Sequence, residues 1–177
     1  NHPNMPWDGC ELWMAEVLPN GTLAKKEQVA GGKNESIFQP EWSPEGVLHF
    51  ISDLSGWWNL YCLGKTGIET LYPLEAEFGE PQWVFGMRTY GFISGHEIFC
   101  TYTQNGEWKL ARLDKNTKIL AQLEEPYTEY GDIHTGNNFA VCKAGSATQP
   151  LSILKLDWAN GQTDVLRSAF EPAVDTG

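Results

Sequence analysis

NLYCLGKTGIETLY, residues 59–72, reads as two short strands joined by a tight turn. Asn59 to Leu63 and Ile68 to Tyr72 carry the aromatic and β-branched residues that favour strands. Gly64-Lys65-Thr66-Gly67 lies between them, and glycine is the residue that reaches the positive φ angles of hairpin turns most easily. The stretch predicts a β-hairpin.

The same hairpin plan occurs three more times along the chain. Its strands are predicted at 11–15 with 22–30, 109–113 with 118–123, and 151–156 with 162–167. The anchor residues are Leu12, Leu60, Leu110 and Ile153, at intervals of 48, 50 and 43 residues. Repeats of about 40–50 residues built from short strands are typical of β-propeller blades.

A further set of strands precedes each of the last three hairpins. These strands are predicted at 39–42 with 47–52, at 82–86 and 89–93 with 97–103, and at 131–134 with 138–143. Each complete unit is then a four-stranded antiparallel sheet. The continuous apolar run at 47–52 predicts an inner strand covered on both faces, whereas the charged residues at 24–28 and 162–164 predict exposed edge strands.

We therefore predict an all-β fold, a partial β-propeller of about three and a half blades. The units are expected at 1–34 (incomplete), 35–77, 78–125 and 126–170, with a linker starting in 171–177. Only ten residues precede Glu11, where the other units have two strands, and propellers rarely close below about four blades. We expect either a chain cut from a longer propeller, consistent with its start at Asn1, or two copies that combine.

Charge excludes some partners. Twelve Lys and Arg residues stand against 23 Asp and Glu residues, a net charge of −11, which disfavours binding to nucleic acid or to an anionic membrane. No apolar run approaches the roughly 18 residues that a membrane helix needs, and no targeting segment is evident, so we expect a cytoplasmic protein.

The four cysteines do not form a metal or redox motif. Cys10, Cys62, Cys100 and Cys142 are far apart in sequence, with no Cys-x-x-Cys pair and no histidine pair at ligand spacing. Each lies in or beside an apolar strand. We predict free, buried thiols, no metal and no cofactor.

Several longer motifs resemble the propeller of bacterial prolyl oligopeptidase-family serine peptidases of the dipeptidyl or acylaminoacyl peptidase type. They are HPNMPWDG at 2–9, LWMA at 12–15, AGG at 30–32, ESIFQPEWSPEG at 35–46, SDLSGWWNLY at 52–61, PQWVFGM at 81–87 and CTYTQNG at 100–106. The resemblance implies a propeller that covers the active site of an α/β-hydrolase domain and admits only short peptides. Its partners would be short peptides and that hydrolase domain.

The catalytic machinery of such a peptidase is not expected in this chain. A hydrolase of this kind needs a nucleophilic serine in a Gly-x-Ser-x-Gly elbow. None of the eight serines has glycine at both the second position before it and the second position after it. We carry no catalytic residue over from the family, and we expect a non-catalytic segment that gates peptide access to the absent domain.

Five residues are weak candidates for facing a ligand: Trp7, Asp8, Asp53, Trp57 and Trp58. The alternative for the two aspartates is a turn held by the carboxylate, and for the tryptophans it is packing between blades. Trp57 and Trp58 would point to opposite faces if both lay in a strand.

Other polar groups are expected to be structural. His2, His49, His96 and His134 have no ligand-spaced partner, and the acidic pairs Glu75 with Glu77 and Glu124 with Glu125 fit solvated loops.

Two other functions stay open at this point. The first is a stand-alone interaction module in which two chains form a homodimer that completes a ring. The second is a periplasmic propeller of the translocation-associated type, which shares the Trp-Ser-Pro-Asp-Gly strand signature, seen here as Trp-Ser-Pro-Glu-Gly at 42–46.

Overall fold

The computed structural model describes residues 4–170, whose regular secondary structure consists of β-strands. The strands are β1 (Glu11–Val17), β2 (Leu23–Gly31), β3 (Ile37–Trp42), β4 (Leu48–Ser52), β5 (Asn59–Gly64), β6 (Gly67–Thr70), β7 (Tyr90–Phe92), β8 (Glu97–Gln104), β9 (Glu107–Asp114), β10 (Ile119–Leu123), β11 (Glu129–Gly136), β12 (Phe139–Gly145), β13 (Ser152–Asp157) and β14 (Thr163–Ser168). His2 and the predicted linker at 171–177 lie outside the described residues.

The strands form four antiparallel sheets. Three have four strands in sequential order, β3-β4-β5-β6, β7-β8-β9-β10 and β11-β12-β13-β14, and the fourth contains β1 and β2. Neighbouring strands are joined by short turns, so each sheet is a meander built from local pairings. The all-β prediction and the four-stranded unit are confirmed.

Burial follows the position of a strand within its sheet. All five residues of β4 are buried, as its continuous apolar run predicts for an inner strand. The edge strands β6, β10 and β14 are largely exposed, and so is most of β2. Polar and charged residues on these strands protect unpaired edges from aggregation.

One predicted strand is wrong. The segment 82–86 forms bends and a turn, and the first strand of the second four-stranded sheet is only β7, Tyr90–Phe92. Gly86 adopts a φ angle of 84°, which a turn accepts and a strand does not. The apolar residues of the segment are exposed instead of packed, because the chain here connects two sheets and has no neighbouring strand to pair with.

The chain divides into two compact units, residues 4–85 and 86–170 of the described part. In the first, a core of Ala30, Ile37, Phe50 and Tyr61 joins the β1–β2 sheet to the β3–β6 sheet. In the second, the core contains Phe99, Leu110, Tyr130, Ile133, Ala140, Cys142, Ala144, Leu154 and Leu156. All four cysteines are free thiols, of which three are buried and Cys10 is half-buried.

Candidate functional site

The loops that carry the predicted site residues meet where β3 begins. Ser36, immediately before β3, donates a hydrogen bond from Oγ to the carbonyl oxygen of Pro6 at 2.6 Å. Its backbone N–H donates to Oδ1 of Asp53 at 2.7 Å. Ser36 is buried, and it therefore ties the Trp7–Asp8 turn and the Asp53 turn to one end of the first unit. We call this region the β3 end.

Both predicted aspartates accept hydrogen bonds, Asp8 within its own loop and Asp53 both from Ser36 and within its own turn. Oδ2 of Asp8 accepts the N–H of Met5 at 3.1 Å, and the N–H of Asp8 donates back to the carbonyl oxygen of Met5 at 3.0 Å. The backbone carbonyl of Asp53 accepts the N–H of Gly56 at 2.8 Å, closing the turn that follows β4. These contacts hold turns in shape.

The two adjacent tryptophans differ in their surroundings. Trp58 is half-buried, with its ring 5.8 Å from that of Phe38, and its backbone N–H donates to Oε2 of Glu77 at 2.8 Å. A side chain on Gly79 would overlap the indole ring of Trp58, so the backbone at Gly79 approaches this ring closely. Trp57 is 40% exposed, and it is the one whose ring stays available to a ligand.

Sequence reasoning missed an exposed aromatic segment at the same end. Trp83, Val84 and Phe85, which we call the apolar loop, are 72%, 67% and 106% exposed. The rings of Trp83 and Trp7 are 4.4 Å apart, and the side-chain amide of Gln82 donates to the carbonyl oxygen of Ile37 at 2.8 Å. The apolar run is visible in the sequence, but the prediction there is a strand at 82–86. The flanking Pro81 and Gly86 are the signal that favours a loop instead.

Among residues 4–170, no nucleophile of the β3 end is paired with a base. Oγ of Ser36 is used as a donor to a backbone carbonyl, and no histidine is among the partners of Ser36 in the described contacts. His49 is fully buried within β4, with Nδ1 2.9 Å from the carbonyl oxygen of Val47. The arrangement can present apolar rings to a ligand, and its carboxylates are used to hold the loops.

The buried thiols of the second unit are poor nucleophiles as well. Burial, together with the charge of Glu125, raises the pKa of the Cys142 thiol to about 12, and burial alone raises the pKa of Cys100 well above its ordinary range. Both therefore stay protonated near neutral pH. Within residues 4–170, no group of three or more His, Cys, Asp or Glu side chains is arranged to hold a metal ion. No helix of that part of the chain is long and apolar enough to span a bilayer.

The second unit has a cleft of its own, with a volume of about 220 Å³. Glu125, at its edge, accepts a hydrogen bond from Oγ1 of Thr163 at 2.5 Å. The guanidinium of Arg112 lies 5.3 Å from the centre of the Trp158 ring and forms an ion pair with Glu97. The acidic pair Glu124 and Glu125 thus borders a cleft, with both carboxylates hydrogen-bonded to neighbouring side chains.

Comparison with known proteins gave matches among solved structures. No family model and no curated protein matches the chain. Puromycin hydrolase is 33% identical, with a TM-score of 0.89 over 99% of this chain and 27% of that chain. A puromycin-hydrolyzing peptidase of Mycobacterium tuberculosis is 32% identical, with a TM-score of 0.91 and the same coverage. Prolyl oligopeptidase B from Galerina marginata is 12% identical, covers 95% of this chain and 24% of that one, and shows the fold alone, with a TM-score of 0.73.

These matches indicate the class of fold to which the chain belongs. The sheets of four antiparallel strands and the likeness to propeller-containing proteins make the chain a partial β-propeller, as predicted. The resemblance seen in the sequence motifs is confirmed too: the chain is similar to the propeller region of puromycin hydrolase and of prolyl oligopeptidases. It spans about a quarter of the length of these relatives.

Proposed function

We propose that this segment is a non-catalytic part of a prolyl oligopeptidase-like serine peptidase, where it helps to gate the access of short peptides to a hydrolase domain. The observation that carries the proposal is the likeness to puromycin hydrolase over 99% of this chain at 33% identity. Two relatives are named for the hydrolysis of puromycin, which supports a small substrate over a folded protein. We assign the parent enzyme to the dipeptidyl or acylaminoacyl peptidase type, whose substrates are short peptides.

The chemistry of the described residues supports a non-catalytic role. The serines lack the Gly-x-Ser-x-Gly context, Oγ of Ser36 is engaged with a backbone carbonyl, and the pKa of Cys142 is raised by burial. Acyl transfer would then take place in the hydrolase domain, and this segment would supply part of the wall that peptides pass.

The β3 end is the part of the wall that we assign to the peptide path. Trp57 is exposed, and Trp7 lies beside Trp83 of the apolar loop, to which Phe85 also belongs. Flat aromatic rings bury a large area at a small cost in side-chain entropy, which suits the capture of peptide side chains of varied sequence.

The first experiment tests catalytic silence. The purified chain is incubated with chromogenic aminoacyl and dipeptidyl substrates, and we expect no turnover above the rate without protein. Turnover that a serine-directed inhibitor abolishes would refute the proposal, because the active serine would then lie within these 177 residues.

The second experiment tests gating in the full-length polypeptide that carries this segment. Peptides graded from about two to thirty residues are offered to the wild type and to the double variant Trp83→Ala/Phe85→Ala, with Ile119→Ala, an exposed residue of β10, as the matched control. We expect the double variant to change kcat/KM selectively for the longer peptides. Equal effects at every length, or equal effects in the control, would argue against gating at this end.

A further inference from the structure

Three hairpin turns of the chain contain an asparagine followed directly by a glycine. They are Asn20-Gly21 between β1 and β2, Asn105-Gly106 between β8 and β9, and Asn160-Gly161 between β13 and β14. In such a pair the backbone nitrogen of the glycine can attack Cγ of the asparagine, because no glycine side chain hinders the approach. All of these residues are exposed, so exposure does not distinguish the three pairs.

The attacking nitrogen is held differently in the three turns. The N–H of Gly21 donates to the carbonyl oxygen of Leu18 at 2.8 Å, and the N–H of Gly161 donates to the carbonyl oxygen of Asp157 at 2.9 Å. The N–H of Gly106 donates no hydrogen bond among the contacts of residues 4–170. Since the nitrogen must lose its proton to attack, a hydrogen bond from that N–H has to break first.

The asparagine side chains divide in the same way. Oδ1 of Asn20 accepts hydrogen bonds from the N–H and the Oγ1 of Thr22, at 3.0 and 2.7 Å. Oδ1 of Asn160 accepts the N–H of Gln162 at 2.9 Å, and Nδ2 of Asn160 donates to Oε1 of Gln162 at 3.3 Å. These bonds fix the rotation of both carboxamides. The side chain of Asn105 makes no hydrogen bond in the described part of the chain, so its Cγ can turn toward the following nitrogen.

The β8–β9 turn explains why this pair is present. Gln104 pairs with Glu107, so the turn contains only Asn105 and Gly106, whose φ angles are 55° and 82°. Two positive φ angles are what a two-residue hairpin turn of type I′ requires, and Asn-Gly is the sequence that adopts them most readily. The residues that make the tight turn therefore also place a reactive pair at its exposed tip.

We propose that Asn105 is a site of spontaneous deamidation and that it reacts faster than Asn20 and Asn160. The nitrogen of Gly106 loses its proton and bonds to Cγ of Asn105, and the bond from Cγ to Nδ2 breaks. Ammonia leaves with the proton, and a five-membered succinimide ring remains. Water then opens the ring at either carbonyl, giving aspartate or isoaspartate, and no oxidant, reductant or cofactor is needed.

The modification changes both the charge and the backbone of the β8–β9 turn. It adds a carboxylate, and so one further negative charge to the net charge of −11, directly beside Glu107. In isoaspartate the main chain runs through Cβ, which lengthens a turn that contains only two residues. This inference does not depend on the proposed function.

The test follows deamidation at the three pairs separately in one sample. The purified 177-residue chain is kept folded at mildly alkaline pH, and peptide mapping by mass spectrometry gives the initial rate at each asparagine. Breaking a hydrogen bond costs about 1 kcal/mol, so we expect Asn105 to react at least about fivefold faster than Asn20 and Asn160. In concentrated urea the three rates should converge, because the pairs then share the Asn-Gly sequence and have lost their different hydrogen bonds.

Matched variants show where the acidic product arises. Asn105→Gly keeps a residue that accepts positive φ and removes the carboxamide, so we expect the acidic species seen by anion exchange to fall by most of its amount. Asn20→Gly is the control and is expected to leave that species nearly unchanged.

Three results would overturn the inference. The first is a rate at Asn105 in the folded chain that is equal to or lower than the rates at the other two pairs. The second is a difference in rate that persists in urea, since the sequence and not the folded turn would then be its cause. The third is an acidic species that accumulates undiminished in Asn105→Gly.

Discussion

Substitution of Asp53 tests whether its carboxylate has a structural role or faces a ligand. Oδ1 of Asp53 accepts the N–H of Ser36 at 2.7 Å, and Ser36 is only 1% exposed. Asp53→Ala leaves that buried N–H without its partner, which costs about 2 kcal/mol, within the range for hydrogen bonds to charged groups. Asp53→Asn keeps an acceptor oxygen but loses the charge, so we expect about half that cost.

The assay is urea unfolding followed by tryptophan fluorescence, since the chain has eight tryptophans. A loss of about 2 kcal/mol corresponds to a fall in Tm of roughly 4–8 °C for a chain of this size. Asp164→Ala, an exposed carboxylate of β14, controls for the change in net charge and is expected to stay within about 0.5 kcal/mol of wild type. An Asp53→Ala variant as stable as Asp164→Ala would refute this reasoning and favour a ligand-facing carboxylate.

Three further predictions follow from single contacts. Gly79→Ala should destabilise the chain by about 1–3 kcal/mol in the same urea assay, because the added methyl group overlaps the Trp58 ring. The control is Gly32→Ala, whose added methyl group meets open space and should cost little stability. Equal effects of the two variants would contradict the close approach of Gly79 to Trp58. Phe85→Ala should change the free energy of unfolding by less than about 0.5 kcal/mol, since the ring is fully exposed. A loss of several kcal/mol would indicate a buried ring and contradict this placement of the apolar loop. The backbone N–H of Thr117, followed by that of Asn116, holds the pKa of Asp114 below the ordinary aspartate value. These hydrogen bonds therefore stabilise the fold at pH values above the pKa of Asp114 in the unfolded chain, and the stabilisation is lost as pH falls through the lower pKa of the folded chain. A carboxyl NMR titration of Asp114 with an ordinary or raised midpoint would contradict this.

The repeat could be predicted because blades are built from local pairings. The spacing of Leu12, Leu60 and Leu110 locates the hairpins, and the turn residues between the strands fix where each strand ends. Burial of β4 also followed from its continuous apolar run, since a strand covered on both faces has no polar side.

The site was less predictable for a physical reason. Trp83, Val84 and Phe85 have the composition of a strand, and composition does not reveal whether a neighbouring strand is there to pair with them. Similarly, Ser36 ties Pro6 to Asp53 through contacts between residues 17 and 30 positions apart, which no local pattern records. The turn at Asp53 is local, but its backbone carbonyl closes it, whereas the sequence suggested that the carboxylate would.

The measurement that tests the central claim most directly is the sequence of the complete native transcript that encodes residues 1–177. We predict one open reading frame that also encodes a Gly-x-Ser-x-Gly elbow beyond this segment, with the aspartate and histidine of the triad following it. A complete frame without such an elbow would contradict the assignment of this propeller segment to a serine peptidase.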